Sequence, residues 1–332
     1  MRPAVFLWRE QKILDIIRFL RNIIAGTSSS PLIYHLGKWT SNRYILKLIG
    51  IFVLPVTVFR YFRRPLVPGR KGLAFILIAK NEAPYIEEWI NFHHKQGASH
   101  FIIYDNESTD NLHEVLKPYI ERGLVTYHVI KGRCRQCDAY NMAINDYGRK
   151  FKYMAFLDAD EFLFIRNNTI GVGGGGGYNL YEFIDGLIAS HNNAGGIGVN
   201  WCIFGSAGHI TKPEGGVLEN YTMRSENDFR ANFHIKTICD PMRVFHYGHC
   251  HFPTYRRGFH SIDENGEIVR GPFTSKVSFR LIRINHYFTK SKEEYKAKRQ
   301  RGMADNLGIR PMSDFDDHDR NEIHDTEILS RA

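Results

Sequence analysis

Between residues 73 and 157 the chain alternates between unbroken apolar runs and segments with apolar residues every three or four positions. Residues 73–79 are apolar throughout, which predicts a strand buried on both faces. Residues 84–96 place Ile86, Trp89, Ile90 and His93 at helical spacing and stop before Gly97. Residues 101–104 predict a second strand, 111–122 a helix closed by Gly123, and 124–130 a third strand. Residues 134–147 predict another helix, and 153–157 a fourth strand. Strand and helix in strict alternation imply a Rossmann-like, mostly parallel α/β sheet flanked by helices.

Polar residues gather where these strands stop. Lys80-Asn81-Glu82 follows the first, Asp105-Asn106 the second, and Asp158-Ala159-Asp160-Glu161 the fourth. Open α/β sheets bind ligands beyond the carboxyl ends of their strands, so three clusters converge on one edge. Acids there are costly to bury unless a cation compensates them. A divalent metal carrying a diphosphate would do so, since hard cations take carboxylate and phosphate oxygens together. In extended backbone Asp158 and Asp160 point to the same side. Asp-x-Asp by itself marks an acidic turn or a helix cap equally well; its place at the sheet edge separates it from those.

Beyond residue 157 the pattern loosens. Residues 173–177 are five glycines without the strand and helix that frame a phosphate-cradling loop, and they predict a connection. Residues 180–188 are helical in spacing. From about 195 aromatics, histidines and glycines predominate, with strand-like pieces at 198–204 and 277–284 and a basic helix at 293–301. The expected organisation is an extension over 1–70, a domain over 71–302 with halves at 71–165 and 195–302, and a polar tail over 303–332.

Composition adds a charge asymmetry. The chain has 332 residues, 43% of them hydrophobic, and a net charge of +9. Residues 1–71 carry thirteen Lys/Arg against Glu10 and Asp15, while the remainder is nearly neutral with 31 bases and 33 acids. A neutral body argues against nucleic acid as a partner, and a basic extension points to an anionic membrane surface. Residues 48–59 are an uncharged apolar run of twelve, shorter than the ~20 that a spanning helix needs. Residues 5–24 mix Phe6, Ile13, Ile17 and Leu20 with Arg9, Lys12, Arg18 and Arg21, the composition of a helix lying in a membrane interface. A helix packed on the body is the alternative. Five cysteines, an odd number, form no disulfide framework and suggest a reducing, cytoplasmic setting on the inner face of the membrane. Sequons occur at Asn106, Asn167 and Asn220, but a glycan on Asn106 would block the strand-end site.

The strand-end clusters, read with Asp105-Asn106-Glu107-Ser108-Thr109-Asp110 and Leu157-Asp158-Ala159-Asp160-Glu161-Phe162, resemble the nucleotide-sugar half of a GT-A glycosyltransferase. The segment from Asn200-Trp201-Cys202 to His209, then Lys236-Thr237-Ile238 and Ile284-Asn285-His286-Tyr287 through Lys298, resembles family 2-like and family 92 glycosyltransferases. The resemblance covers about residues 73–302. It implies a metal-dependent enzyme, with Mn²⁺ or Mg²⁺, that moves a sugar from a nucleotide-sugar donor, a UDP-sugar first. A glycan or lipid-linked saccharide would be the acceptor. It also implies roles: Lys80, Asn81 and Glu82 at the nucleotide, Asp105 at base or ribose, and Asp158 at ribose or metal. Asp160 would be the principal metal ligand, joined by His286, with Lys290 or Lys298 on the diphosphate. An inverting enzyme also needs a base for the acceptor hydroxyl. Glu214, Glu219, Glu226, Asp228 and Asp240 lie in the expected region, with Glu219 preferred.

Other constellations weigh less. Cys134-x-x-Cys137 lacks a second ligand pair for zinc. His246, His249 and His251 suit an aromatic wall of an acceptor pocket better than a metal centre. A nucleotidyltransferase would need a Gly-rich loop after the first strand, where this chain has Ala79-Lys80-Asn81-Glu82-Ala83-Pro84. A dehydrogenase would need a glycine fingerprint in the same turn. A non-catalytic membrane-associated scaffold of the same fold is the alternative from another class.

Overall fold

The computed structural model describes residue 23 and residues 43–63, 65, 67–166, 179–304 and 307–332. The glycine run, Asn167 and most of the amphipathic stretch expected at 5–24 lie outside the described residues. The predicted alternation is present: β1 (Lys71–Ala79), α2 (Ala83–Lys95), β2 (His100–Asp105), α3 (Leu112–Glu121), β3 (Val125–Val129), α4 (Gln136–Tyr147) and β4 (Phe151–Phe156). A helix α1 (Arg43–Phe62) precedes them. β1, β2, β3 and β4 pair in parallel, with Ala79 opposite Asp105 and Ile76 opposite Phe156. That register brings Lys80, Asn106 and Asp158 to one edge of the sheet.

The second half turns the sheet from parallel to mixed. Its elements are β5 (Glu161–Ile165), α5 (Leu180–Ala189), β6 (Ala194–Ile203), α6 (Val217–Asn220), β7 (Met223–Arg224) and β8 (Ile235–Cys239). Then come β9 (Val244–Tyr247), β10 (Pro253–Tyr255), β11 (His260–Ile262), β12 (Ile268–Val269), β13 (Ile282–His286), α7 (Lys292–Gln300), α8 (Ser313–His318) and β14 (Ile323–His324). β8 runs antiparallel between β4 and β6, and β13 lies between β5 and β6. The sheet order is β12-β11-β6-β8-β4-β1-β2-β3. Gly196 on β6 is required by packing, because a Cβ there would meet the Ile238 carbonyl and the Tyr255 hydroxyl at 2.5 Å.

Two differences from the sequence expectation have clear causes. The strand expected at 277–284 begins only at Ile282. The buried Glu264 carboxylate accepts from the backbone N–H groups of Arg280, Leu281 and Ile282 at 2.7, 2.8 and 3.0 Å, so the first two donors are not free for a ladder. The expected polar tail is instead fastened to the body. Asp325 pairs with Arg224 at 2.7 Å and Arg283 at 2.8 Å, Glu327 with Arg166 at 2.6 Å, and β14 with β7. Its acids answer basic residues far away in sequence, which composition alone does not reveal.

α1 follows the apolar run at 48–59, with Pro55 inside it. Val53 and Thr57 face the body, whereas Phe52, Ile51, Phe59 and Val56 are 80%, 65%, 62% and 57% exposed. Its end is docked: Arg257 donates its backbone N–H to the Tyr61 carbonyl at 3.0 Å, and the Tyr61 ring meets Phe245 edge-on at 5.2 Å. Among the described residues no helix is long and apolar enough to cross a membrane.

Candidate functional site

The turn after β4 is built by its own acids. Asp158 donates its backbone N–H to the Glu161 carboxylate at 2.9 Å, closing the turn that starts β5. Lys236, wholly buried on β8, reaches Asp158 Oδ2 at 2.8 Å and Glu161 Oε2 at 3.6 Å. Gln136, at the start of α4, donates to Asp158 Oδ1 at 2.7 Å. Burial pushes the Glu161 carboxyl well above the usual range, against the pull of Lys236. Burial also works against charge on Lys236, but Asp158 and Glu161 outweigh it and hold the ammonium well above its ordinary value. One ammonium thus bridges the side chains of Asp158 and Glu161.

Asp160 has a separate environment. Lys298 of α7 donates to its Oδ2 at 2.6 Å, and His286 Nε2, at the end of β13, lies 3.6 Å from its Oδ1. Burial would raise the Asp160 carboxyl, but Lys298, His286 and Lys290 hold it well below the ordinary range. Burial brings His286 down to about 4, so its imidazole is neutral, the ligating form. Its Nδ1 is buried without a hydrogen-bond partner among the described residues. Two residues apart in sequence, the aspartates answer different lysines.

Both carboxylates open onto a cavity of about 340 Å³ at the carboxyl ends of β1 and β4. Lys80 and Asn106 line one side. Trp201, His234 and His251 form an aromatic wall, with Trp201 stacked on His234 at 5.0 Å and tilted on His286 at 4.3 Å. The buried Trp201 Nε1–H has no acceptor among the described residues. Such a wall suits a sugar, offering apolar faces to C–H groups and ring nitrogens to hydroxyls. A second cavity of about 410 Å³ adjoins it and shares Phe288, Lys298 and Arg301. Lys290 stands there over the Tyr85 ring, its Nζ 3.2 Å from the centroid, and burial lowers its ammonium.

The residues singled out from sequence divide. Lys80, Asp158, Asp160, His286 and Lys298 share the first cavity; Asn81, Lys290 and Lys298 share the second. Glu82 is buried and paired with Arg301 at 2.5 Å, which fixes α7 against the first strand-end turn. Asp105 does not line either cavity. Its carboxylate accepts from Ser108 N–H at 2.8 Å and Tyr127 O–H at 2.5 Å, so it shapes the loop while Asn106 beside it faces the cavity. Glu219 is exposed on α6 and accepts from the Gly216 N–H at 2.8 Å, away from the cavity lining. Glu214, Glu226 and Asp228 are exposed, and Asp240 is bound by Arg70 at 2.8 Å. The expected metal set of Asp158, Asp160 and His286 is not drawn together as a triad. Among the described residues no three His, Cys, Asp or Glu side chains are grouped to hold a metal ion. Asp160 Oδ1 and His286 Nε2, 3.6 Å apart, are the pair from that set that lies close together.

Sequence reasoning overlooked Gln136, Arg301, Arg310, Asp314 and His318, and gave Lys236 no role. Lys236 had a signal: it interrupts the otherwise apolar, β-branched stretch Ile235-Lys236-Thr237-Ile238, where an uncompensated lysine would be costly. None of the five cysteines forms a disulfide. Of the histidine cluster, His251 faces the cavity, while His246 is buried elsewhere and His249 packs against His251 at 5.3 Å.

Comparison with known proteins places this geometry in a family. A glycosyltransferase family 92 model matches residues 77–306. A glycosyltransferase family 92 protein of Ricinus communis is 24% identical over 251 residues, 71% of this chain and 40% of the relative. A galactan beta-1,4-galactosyltransferase of Arabidopsis thaliana is 38% identical over 90 residues, 24% of this chain and 17% of the relative. The chain thus spans less than half the length of these curated relatives. Among solved structures, Staphylococcus aureus TarS residues 1–349 in complex with UDP overlaps at 15% identity, with a TM-score of 0.31 over 51% of this chain and 47% of that one. The mixed α/β sheet with its ligand edge is the GT-A architecture expected from the sequence, and the chain belongs to glycosyltransferase family 92.

Proposed function

We propose that the chain transfers a hexosyl group from a UDP-sugar to a glycan or lipid-linked saccharide, with inversion, in surface polysaccharide or glycoconjugate synthesis. One observation carries this most: Asp158 and Asp160, each held by its own lysine, open onto a single cavity walled by Trp201, His234 and His251. The Arabidopsis relative, a galactan beta-1,4-galactosyltransferase, supports a hexose donor and a polysaccharide acceptor.

Breaking the anomeric C–O bond leaves negative charge on the departing diphosphate. Lys298, Arg301 and Arg310 line the cavity and supply fixed positive charge for it, while Lys290 adds another from the adjoining cavity. Asp160 Oδ1 and the neutral His286 Nε2, 3.6 Å apart, suit two ligands of one divalent cation, with phosphate oxygens completing the shell. Bound there, Mn²⁺ or Mg²⁺ would act as a Lewis acid on the leaving diphosphate. Lys236 and Gln136 fix Asp158 so that it meets the ribose or the metal side of the donor without rotating. The aromatic wall excludes water and positions the sugar.

We also place the enzyme on an anionic membrane surface, on the cytoplasmic side. The exposed Ile51, Phe52, Val56 and Phe59 of α1 support this, with Arg60 and Arg63 at its end and the basic sequence before it. The five thiols without disulfides support a reducing side.

The test is release of nucleotide from a panel of UDP-sugars by the purified chain, with and without Mn²⁺. Turnover of a UDP-hexose supports the assignment. If no donor is bound or turned over while the fold is intact, the scaffold alternative replaces it. For the membrane, sedimentation with phosphatidylserine vesicles is expected for the full chain and not for one lacking residues 1–70.

A further inference from the structure

The C-terminal segment closes the cavity on the side that the strand-end turns leave open. α8 is anchored on both flanks. Phe315 packs in an apolar cluster with Phe288 and Tyr295, its ring 5.4 Å from that of Tyr295. Just after the helix, Asp319 Oδ1 accepts from Ser206 N–H at 2.6 Å and Asn321 Oδ1 from Ala207 N–H at 2.8 Å. So held, α8 presents Asp314 and His318 to the cavity that holds Asp158, Asp160 and Trp201.

Three carboxylates line that cavity, and two are committed. Asp158 is held by Lys236 and Gln136, and Asp160 by Lys298 beside His286. The Asp314 carboxylate has no hydrogen-bond or ion-pair partner among the described residues, although its backbone carbonyl bonds to His318 Nδ1 at 2.9 Å. The imidazoles around it are weak bases. Burial brings His251 to about 2, and it lowers His234 and His318 as well. Glu214, Glu219, Glu226, Asp228 and Asp240 do not line the cavity.

We propose that Asp314 is the base that accepts the proton of the acceptor hydroxyl during sugar transfer. The inference rests on the inverting glycosyl transfer proposed above. The hydroxyl oxygen bonds to the anomeric carbon, and its proton passes to the Asp314 carboxylate. The bond from the anomeric carbon to the diphosphate breaks, and its electron pair leaves with the nucleoside diphosphate. Asp314 lies beyond residue 306, where the family match ends. Phe315, beside Asp314, packs with Phe288, whose ring lies 5.5 Å from that of His286.

The experiment compares wild type, Asp314→Asn and Asp314→Ala with whichever UDP-sugar and acceptor the wild type turns over. Thermal midpoint and UDP affinity are measured in parallel. The expected result is a kcat lower by about 10²–10⁴-fold in both variants, UDP affinity within about twofold, an unchanged midpoint, and partial recovery of Asp314→Ala by added formate. A purely structural role would not respond to formate. A kcat within about threefold of wild type overturns the proposal. So does a loss of kcat that formate does not relieve and that comes with lost UDP binding or a lowered midpoint. If the wild type turns over no donor at all, the glycosyl-transfer assignment itself fails, and the role of Asp314 fails with it.

Discussion

The two halves of the sheet keep polar groups beside a buried core by different means. In residues 71–166 the loops after β1 and β2 satisfy their polar groups within neighbouring strand–helix units. Asp105 takes Ser108 N–H at 2.8 Å, Asn81 takes Thr109 N–H at 2.7 Å, and Asp110 takes Ala83 N–H at 3.0 Å. In residues 179–332 they are satisfied by ions from far along the chain. Arg283 is wholly buried and meets Asp325, while Lys298 reaches back to Asp160, 138 residues away. Local closure shapes the strand-end loops of the first half; remote pairing makes the second half depend on residues 313–332. The candidate site lies on the seam: Asp158 and Asp160 come from the first half, and Lys236 and Lys298, which hold them, come from the second.

The largest effect that would sharpen this contrast is on stability in the second half. Arg283→Met takes the wholly buried partner from Asp325 and leaves it Arg224; it is expected to cost about 2–3 kcal/mol, seen as a lowered urea midpoint. A loss below about 1 kcal/mol would mean that the remote pairs are incidental. Next is Asp160→Asn, which removes the carboxylate that faces His286 and Lys298. A kcat lower by about 10²–10³-fold is expected with the fold intact, and chelation of divalent cations should depress the wild type similarly.

A smaller effect probes the first half through pH. His93 donates from Nδ1 to the Trp89 carbonyl at 2.9 Å and accepts at Nε2 from Leu163 N–H at 3.0 Å, so its neutral form alone satisfies both partners. Burial brings it down to about 3. The folded value lies below the unfolded 6.5, so its contribution is fully present above pH 6.5. It is lost as pH falls from there toward 3, by roughly 2 kcal/mol at pH 5. Urea unfolding at pH 7.5 and 5.0 checks this, and His93→Phe should flatten part of the difference. The smallest effect is at Asn81, a non-glycine residue at φ 55° whose side chain bonds to Thr109. Asn81→Ala is expected to cost about 1–2 kcal/mol and Asn81→Gly less, measured as thermal midpoints.

The same contrast explains what could be read from sequence. β1 through β4 and their helices were legible because apolar runs and helical spacing are local properties. Asp158 and Asp160 were legible because the alternation located the strand ends. Asp105 misled, since a strand-end acid looks the same whether it faces a ligand or caps its own loop; Tyr127 decides that, two strands over. Glu219 misled for a similar reason, being a capping residue of α6. Lys236 and Arg301 act through partners 75 or more residues away, and α8, which carries Asp314, reads as a polar tail until Asp325 and Glu327 are seen with their arginines.

The most direct measurement is UDP release and glycosylated product from a UDP-hexose panel, run on wild type and Asp160→Asn side by side. Wild-type turnover of a UDP-hexose, with equal amounts of UDP and product and at least a hundredfold loss in the variant, is the predicted result. Equal rates in the two proteins, or a folded wild type that neither binds nor turns over any donor, would contradict the assignment.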